Sequence, residues 1–318
     1  MAKAADNLQT VTRLPPLPVR PAESHKGMFG RILVVGGSIH MPGAVALVAN
    51  AAYRAGAGLV RIFCPAAAQP IAIMLAPCAT SYPAHQTDSG RFSLAAEAQL
   101  REQAREHDVL AIGPGMGATP ACARLVEIAV AEIDKPVVLD ASGLTNLASL
   151  ARAPRPAGPL VLTPHPGEMK RLLQALKIDV RLGPDDASRR VAAKAVAERL
   201  GCITLLKGSR TIVTDGARIY LNTTGNPGMA TGGTGDVLTG VIAALLGQKF
   251  EPFEAAALGA YLHGLAGDIG ARQLGEYGLM AADLLDTLPA AFRQYRRNKP
   301  LARRPAKSSG AAAKSSRN

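Results

Sequence analysis

Gly225-Asn226-Pro227-Gly228-Met229-Ala230-Thr231-Gly232-Gly233-Thr234-Gly235-Asp236 runs straight into the apolar segment VLTGVIAALL at 237–246. Glycines just before a helix let its unpaired N–H groups approach an anion closely, and the helix dipole favours negative charge there. The stretch therefore predicts a helix over 236–246, preceded by an anion hole made by the N–H groups of Gly233, Thr234 and Gly235. Asp236 falls in the first turn, where the same dipole stabilises a carboxylate. A plain helix-capping acid behind a flexible loop is the alternative, although capping requires no such glycine run.

Working outward, short apolar runs at 31–35, 59–63, 109–112, 137–140, 160–163 and 203–207 end at Gly, Pro, Asp or Lys. Their near-continuous apolarity suits strands buried on both faces of a parallel sheet. Helical segments are expected at 44–55, 94–106, 120–132, 167–176, 186–200 and 252–274; the fifth opens with Asp185 and Asp186 and stops at Gly201. Asp215-Gly216 between 211–214 and 218–221 is a hairpin signal. The pattern reads as one doubly wound, mostly parallel α/β sheet flanked by helices, over residues 30–295. Residues 1–29 are expected to form an N-terminal arm and 296–318 a disordered basic tail.

In such a sheet ligands bind beyond the carboxyl ends of the strands. Gly36-Gly37-Ser38, Gly113-Pro114-Gly115-Met116-Gly117, Asp140, Thr163-Pro164-His165-Pro166-Gly167-Glu168 and Lys207-Gly208 all fall there. One glycine turn has little meaning, because tight turns need glycine anyway; five at one edge carry more. No GxxxxGK[ST], no well-spaced GxGxxG and no GxSxG occurs, which argues against a P-loop, a dinucleotide fold and a serine hydrolase.

Of the 318 residues, 48% are hydrophobic and 19% charged, as in a globular protein with a large core. The net charge of +12 invites a polyanionic partner, but it is unevenly placed. Residues 296–318 hold eight bases and no acid, and residues 1–29 four bases and two acids, which leaves 30–295 at +2. Aromatics are 4% with no Trp, so few platforms exist for stacking bases, and no specific nucleic acid is expected. Four scattered cysteines without a CxxC imply neither zinc nor disulfides and fit a reducing, cytoplasmic setting. No apolar run follows Lys3 and none reaches membrane-spanning length, so neither a leader nor a membrane span is expected.

A late helix opened by Gly-Thr-Gly-Asp is similar to the anion-hole motif of the ribokinase-like fold. Around it GNPGMATGGTGDVLTG, LTPHPGEMKRL, LLKGSRT, IGPGMG, VVLDASGL and the early GGS…PGA…AAYRAGAGLV resemble, in order and over roughly 30–288, the ADP-dependent (S)-NAD(P)H-hydrate dehydratase family. The resemblance implies a cofactor-repair enzyme that removes water from the S form of hydrated NADH or NADPH (NAD(P)HX). ADP would be the co-substrate, giving AMP and phosphate. It further implies magnesium, a homo-oligomer, often a tetramer, and partnership with a separate NAD(P)HX epimerase, whose domain has no room in this chain.

Residue by residue, Ala44, Gly117 and His165 match positions that contact the hydrated cofactor. Lys207, Gly208, Ser209, Arg210, Thr211 and Gly235 match nucleotide contacts, and Asp236 matches the acid beside the reacting hydroxyl. Asp236 would act as general base, with the Gly233–Gly235 N–H groups on the phosphoryl group. Metal ligands are not identified. Lys207 also reads as an ordinary strand-end lysine, His165 as an incidental loop residue and Glu168 as a helix-start acid. Met41 replaces the family's common aromatic residue, and Ser142 stands where a second acid is common. A small-molecule kinase of the same fold would share the anion hole and Asp236; the HPGE turn and the NPGMATGG lead-in favour the dehydratase.

Overall fold

The computed structural model describes residues 8–298. Its strands are β1 (Gln9–Thr10), β2 (Arg31–Val35), β3 (Leu59–Pro65), β4 (Thr80–Ala84), β5 (Val109–Ile112), β6 (Val137–Leu139), β7 (Leu160–Leu162), β8 (Ile203–Leu206), β9 (Ile212–Thr214) and β10 (Arg218–Leu221). Its helices are α1 (Pro42–Arg54), α2 (Gln69–Leu75), α3 (Ala96–Arg105), α4 (Pro120–Ala131), α5 (Ser142–Ser149), α6 (Pro166–Ala175), α7 (Asp186–Leu200), α8 (Thr234–Gly247), α9 (Pro252–Leu274) and α10 (Ala281–Asn298).

The ten strands make one sheet, ordered β1-β10-β9-β8-β7-β6-β5-β2-β3-β4, and only the pairs made by β9 are antiparallel. Alternation along β2 shows how the sequence divides its core. Ile32 and Val34 face one apolar layer with α1, α8, α9 and α10, while Leu33 and Val35 face the other with α3, α4, α6 and α7. A strand buried on both faces has no polar face to alternate, which is why these runs read as continuously apolar.

Helix α8 is buried from Val237 to Gly247. Small residues let its neighbours close on it. A Cβ on Gly240 would lie 2.8 Å from Ala51 Cβ of α1, and one on Gly259 of α9 2.7 Å from Ile242 Cγ1. Side chains there would separate the helices, and overpacking of this kind typically costs about 1–3 kcal/mol.

The doubly wound, mostly parallel sheet and the hairpin at Asp215-Gly216 match the reading above. Five elements went unread. β1 and β4 are edge strands, β1 with two residues and β4 carrying Pro83, which is tolerated only where no partner needs its missing N–H. α2 and α5 are seven and eight residues long, and Pro289 interrupts the α10 pattern. Two expected boundaries are corrected. Gln9 and Thr10 pair with Arg218 and Ile219, so part of the arm belongs to the sheet. α10 continues through Arg296 and Arg297 to Asn298, so these residues are helix and not tail. Residues 1–7 of the arm and 299–318 of the tail lie outside the described residues.

Candidate active site

The carboxyl ends of β6, β7 and β8 deliver Asp140, Thr163 and Lys207 to one point, because parallel neighbours in register end together. Asp140 is 1% exposed, and its carboxylate is fully engaged. Oδ1 accepts from Lys207 Nζ at 2.7 Å and Thr163 Oγ1 at 2.8 Å, and Oδ2 accepts from Thr239 Oγ1 of α8 at 2.9 Å. Burial works to raise the Asp140 carboxyl, but Lys207 and the two hydroxyls outweigh it and hold it below the usual range. Burial likewise opposes the Lys207 charge, yet Asp140 and Glu168 more than restore it, so the ammonium is held charged.

Glu168 Oε2 lies 3.9 Å from Lys207 Nζ. It also completes the start of α6. Its Oε2 accepts the His165 N–H at 2.8 Å, while His165 Nδ1 accepts the N–H groups of Gly167 at 3.0 Å and Glu168 at 3.4 Å. This is a reciprocal capping box with histidine in the capping role. Because Nδ1 accepts, the neutral ring carries its proton on Nε2. Burial raises the Glu168 carboxyl, and Lys207 offsets part of that rise.

The glycine-rich stretch lies against this cluster. α8 starts at Thr234 with Gly233 as its cap, at φ +89° and with no side-chain cap. Asp236 sits in the first turn without a capping bond, so the plain-cap reading has no support in the geometry. Its carboxyl is pushed up to about 7, by burial first and the Asp140 charge second, with Lys207 pulling the other way. A Cβ on Gly235 would lie 3.3 Å from Lys207 Nζ and 3.7 Å from Asp140 Oδ2. The lysine thus stands directly beside the unpaired N–H groups that open α8.

The loop before α8 is fastened from α9. Asp268 accepts the Gly225 N–H and the Asn226 Nδ2 group, each at 3.0 Å. His263 Nε2 donates to the Thr234 carbonyl at 2.9 Å, and burial pushes that imidazole down to about 4, so it stays neutral. On the other flank, a Cβ on Gly233 would lie 2.8 Å from Leu47 Cδ1. Leu47 is one helical turn from Ala44, and a Cβ on Gly115 would lie 2.9 Å from Ala44 Cβ. Gly117, at φ +75°, is held through its carbonyl by Asn146 Nδ2 at 2.8 Å.

The structure therefore gathers the expected residues into two flanks of one edge. Ala44 and Gly117 line the β2–β5 side. Glu168 meets Lys207 in the middle, beside Gly235 and Asp236, and His165 adjoins Glu168 at the start of α6. Gly208, Ser209, Arg210 and Thr211 continue outward from Lys207, with Thr211 Oγ1 donating to the Gly208 carbonyl at 3.0 Å. Thr239, His263 and Asp268 were not singled out by sequence, and Thr163 and Asn226 were read only as members of their motifs, with no role of their own. Thr239 had a signal, as a hydroxyl three residues after Asp236 in an otherwise apolar helix. Met41 is 47% exposed at the start of α1.

Among the described residues no group of three or more His, Cys, Asp or Glu is disposed to hold a metal. The acids Asp140, Glu168 and Asp236 are arranged round an ammonium instead, and Asp140 Oδ1 already accepts two donors. This donor set does not fit a resident magnesium ion, which needs near-octahedral oxygen ligation.

The NAD(P)H-hydrate dehydratase family model matches residues 32–290. A bifunctional NAD(P)H-hydrate repair enzyme of Moorella thermoacetica is 48% identical over 280 residues, which is 87% of this chain and 52% of that protein. The chain thus spans about half the length of the bifunctional relatives it matches. An ADP-dependent (S)-NAD(P)H-hydrate dehydratase of Bacillus subtilis is 36% identical over 281 residues, covering 88% of this chain and 95% of the relative. A solved ADP/ATP-dependent NAD(P)H-hydrate dehydratase from Bacillus subtilis, co-crystallised with ATP/Mg2+, superposes with a TM-score of 0.72 at 31% identity, over 90% of this chain and all of the other. Ribokinase-like proteins share the same arrangement of sheet and helices. On this sequence match and this fold, the chain belongs to the NAD(P)H-hydrate dehydratase family.

Proposed function

We propose that this protein dehydrates the S form of NAD(P)HX with ADP as co-substrate, restoring NAD(P)H and releasing AMP and phosphate. The observation that carries the reading is Asp236. It is an uncapped, half-buried carboxyl poised near neutrality, beside Lys207 and at the unpaired N–H groups that begin α8.

Hydroxide is a poor leaving group and phosphate a good one. Asp236 takes the proton from the ring hydroxyl as its oxygen bonds to the β-phosphorus of ADP and the bond from that phosphorus to AMP breaks. The N–H groups at Gly233, Thr234 and Gly235 and the Lys207 ammonium stabilise the charge on the phosphoryl oxygens. The ring nitrogen's lone pair then expels phosphate, and loss of a proton from the neighbouring ring carbon restores the dihydropyridine. Ala44 and Gly117 on the β2–β5 flank, with His165 beyond the end of β7, hold the hydrated cofactor, and Lys207–Thr211 with Gly235 hold the nucleotide. Magnesium would arrive on the nucleotide's phosphates, and no residue of this chain is assigned to it.

The reading extends to a homo-oligomer, a tetramer, acting in the cytoplasm alongside an NAD(P)HX epimerase that converts the R form. Among the described residues no helix is long and apolar enough to cross a membrane. The test is incubation of the purified protein with S-NADHX and ADP, following the return of reduced-nicotinamide absorbance and AMP together. Robust phosphorylation of a small alcohol with no loss of hydrate would overturn the dehydratase in favour of a kinase.

A further inference from the structure

Arg189 lies in the first turn of α7, and its side chain is only 9% exposed. Burying a guanidinium forfeits hydration at five donors, so such a group persists where its donors are used. Nη1 donates to the Ser209 carbonyl at 2.7 Å and reaches Asp186 Oδ1 at 3.4 Å. Nη2 is buried and has no partner among the described residues. A Cβ on Gly208 would stand 3.0 Å from Nη2, so the guanidinium lies directly beneath that glycine, whose φ is +141°. Asp186 also holds the far side of the loop, through Arg210 Nε at 3.3 Å.

The Ser209 carbonyl is thereby held toward α7, while the Gly208 carbonyl is turned back into its own tight turn. The Gly208 carbonyl accepts Thr211 Oγ1, and the Ser209 carbonyl accepts Arg189. A planar trans peptide points the next N–H the opposite way, which sends the Ser209 and Arg210 N–H groups outward. Neither finds an acceptor among the described residues. Successive outward N–H groups make an anion-binding concavity.

We propose that Arg189 is a positioning residue for the nucleotide, holding the Ser209 carbonyl in the body so that the Ser209 and Arg210 N–H groups face a phosphate or ribose oxygen. This rests on the nucleotide reading of Lys207–Thr211. Arg189→Lys keeps a buried cation and one donor but loses the fork. It should raise KM for ADP about tenfold, the scale of one charge-assisted hydrogen bond, with KM for S-NADHX and kcat at saturating ADP within about twofold. Asp186→Asn leaves the guanidinium in place but removes the charge that steadies it and Arg210, so it should show the same split if Arg189→Lys folds poorly. An unchanged ADP KM in both variants, or an equal rise in the hydrate KM, overturns the inference. If the wild type itself binds no ADP, the proposed co-substrate fails instead, and the same split is then read with ATP.

Discussion

Lys207 at the end of β8 donates to Asp140 at the end of β6 across 2.7 Å, joining residues 67 positions apart in sequence. The pair sits at the centre of three acids and one base, so its two charges are not equivalent. Asp140→Asn keeps the hydroxyl bonds but leaves Lys207 without its principal counter-charge. Breaking a buried pair from one side typically costs about 3–5 kcal/mol, and the retained bonds place this variant at the low end. The Asp140→Asn, Lys207→Met double variant should be less destabilised than the sum of the singles, measured by denaturant midpoints. Strict additivity would mean that the two groups are not coupled.

If Asp236 is the general base proposed above, it should give turnover its pH dependence. A general base must be deprotonated, and this carboxyl is pushed up to about 7 by burial and by Asp140. The rate with S-NADHX and saturating ADP should therefore rise through about pH 7 and level off above it. Asp140→Asn removes the like charge, so the midpoint should move to lower pH. A rate that is flat from pH 6 to 8 would exclude Asp236 as the titrating base.

The same residue should trade stability for function. Its carboxyl is raised above the unfolded value, so the folded state holds the extra proton between the two. Stability is then lost as pH rises through that window. Asp236→Asn should cut turnover by about 10²-fold or more. It should also raise the melting temperature at pH 8 and change it little at pH 4, where the wild-type carboxyl is already protonated. Calorimetric melts at both pH values check this, and a variant that is less stable at pH 8 would contradict it.

What the sequence disclosed was what local chemistry determines. The glycine run before α8, the apolar strands and the Asp185 and Gly201 boundaries of α7 each follow from a few adjacent residues. Glu168 was harder, because a helix-start acid and a partner of Lys207 look identical until β7 and β8 are paired. Thr163, Thr239 and His263 act through contacts with Asp140 and Thr234 that only the folded chain creates. Arg189 was hidden for the same reason: nothing in DASRRVAAK shows which arginine turns inward.

Gly233 tests whether the start of α8 is a shaped site or a tolerant loop. Its φ of +89° is unfavourable for a side chain, and a Cβ there would meet Leu47 Cδ1 at 2.8 Å and Ala281 Cβ at 3.0 Å. Gly233→Ala should lose about 1–3 kcal/mol of stability and lower kcat/KM more than Gly232→Ala, whose Cβ would meet nothing within 4 Å. Equal activity in the two variants would argue for a tolerant loop.

Glu168 separates a cap from a charge. Gln at this position of a capping box still accepts the His165 N–H, so Glu168→Gln preserves the start of α6 while removing the charge 3.9 Å from Lys207. Glu168→Ala loses both. If the charge matters, Glu168→Gln should keep the wild-type melting temperature to within about 2 °C, since a retained cap costs little. Its pH–rate midpoint should nevertheless fall, because Lys207, released from one acid, stabilises ionised Asp236 more strongly. If Glu168 is only a cap, Glu168→Gln matches the wild type in both measurements and Glu168→Ala alone is impaired. Steady-state rates across pH 5–9 for the two variants, paired with their melting curves, distinguish these outcomes.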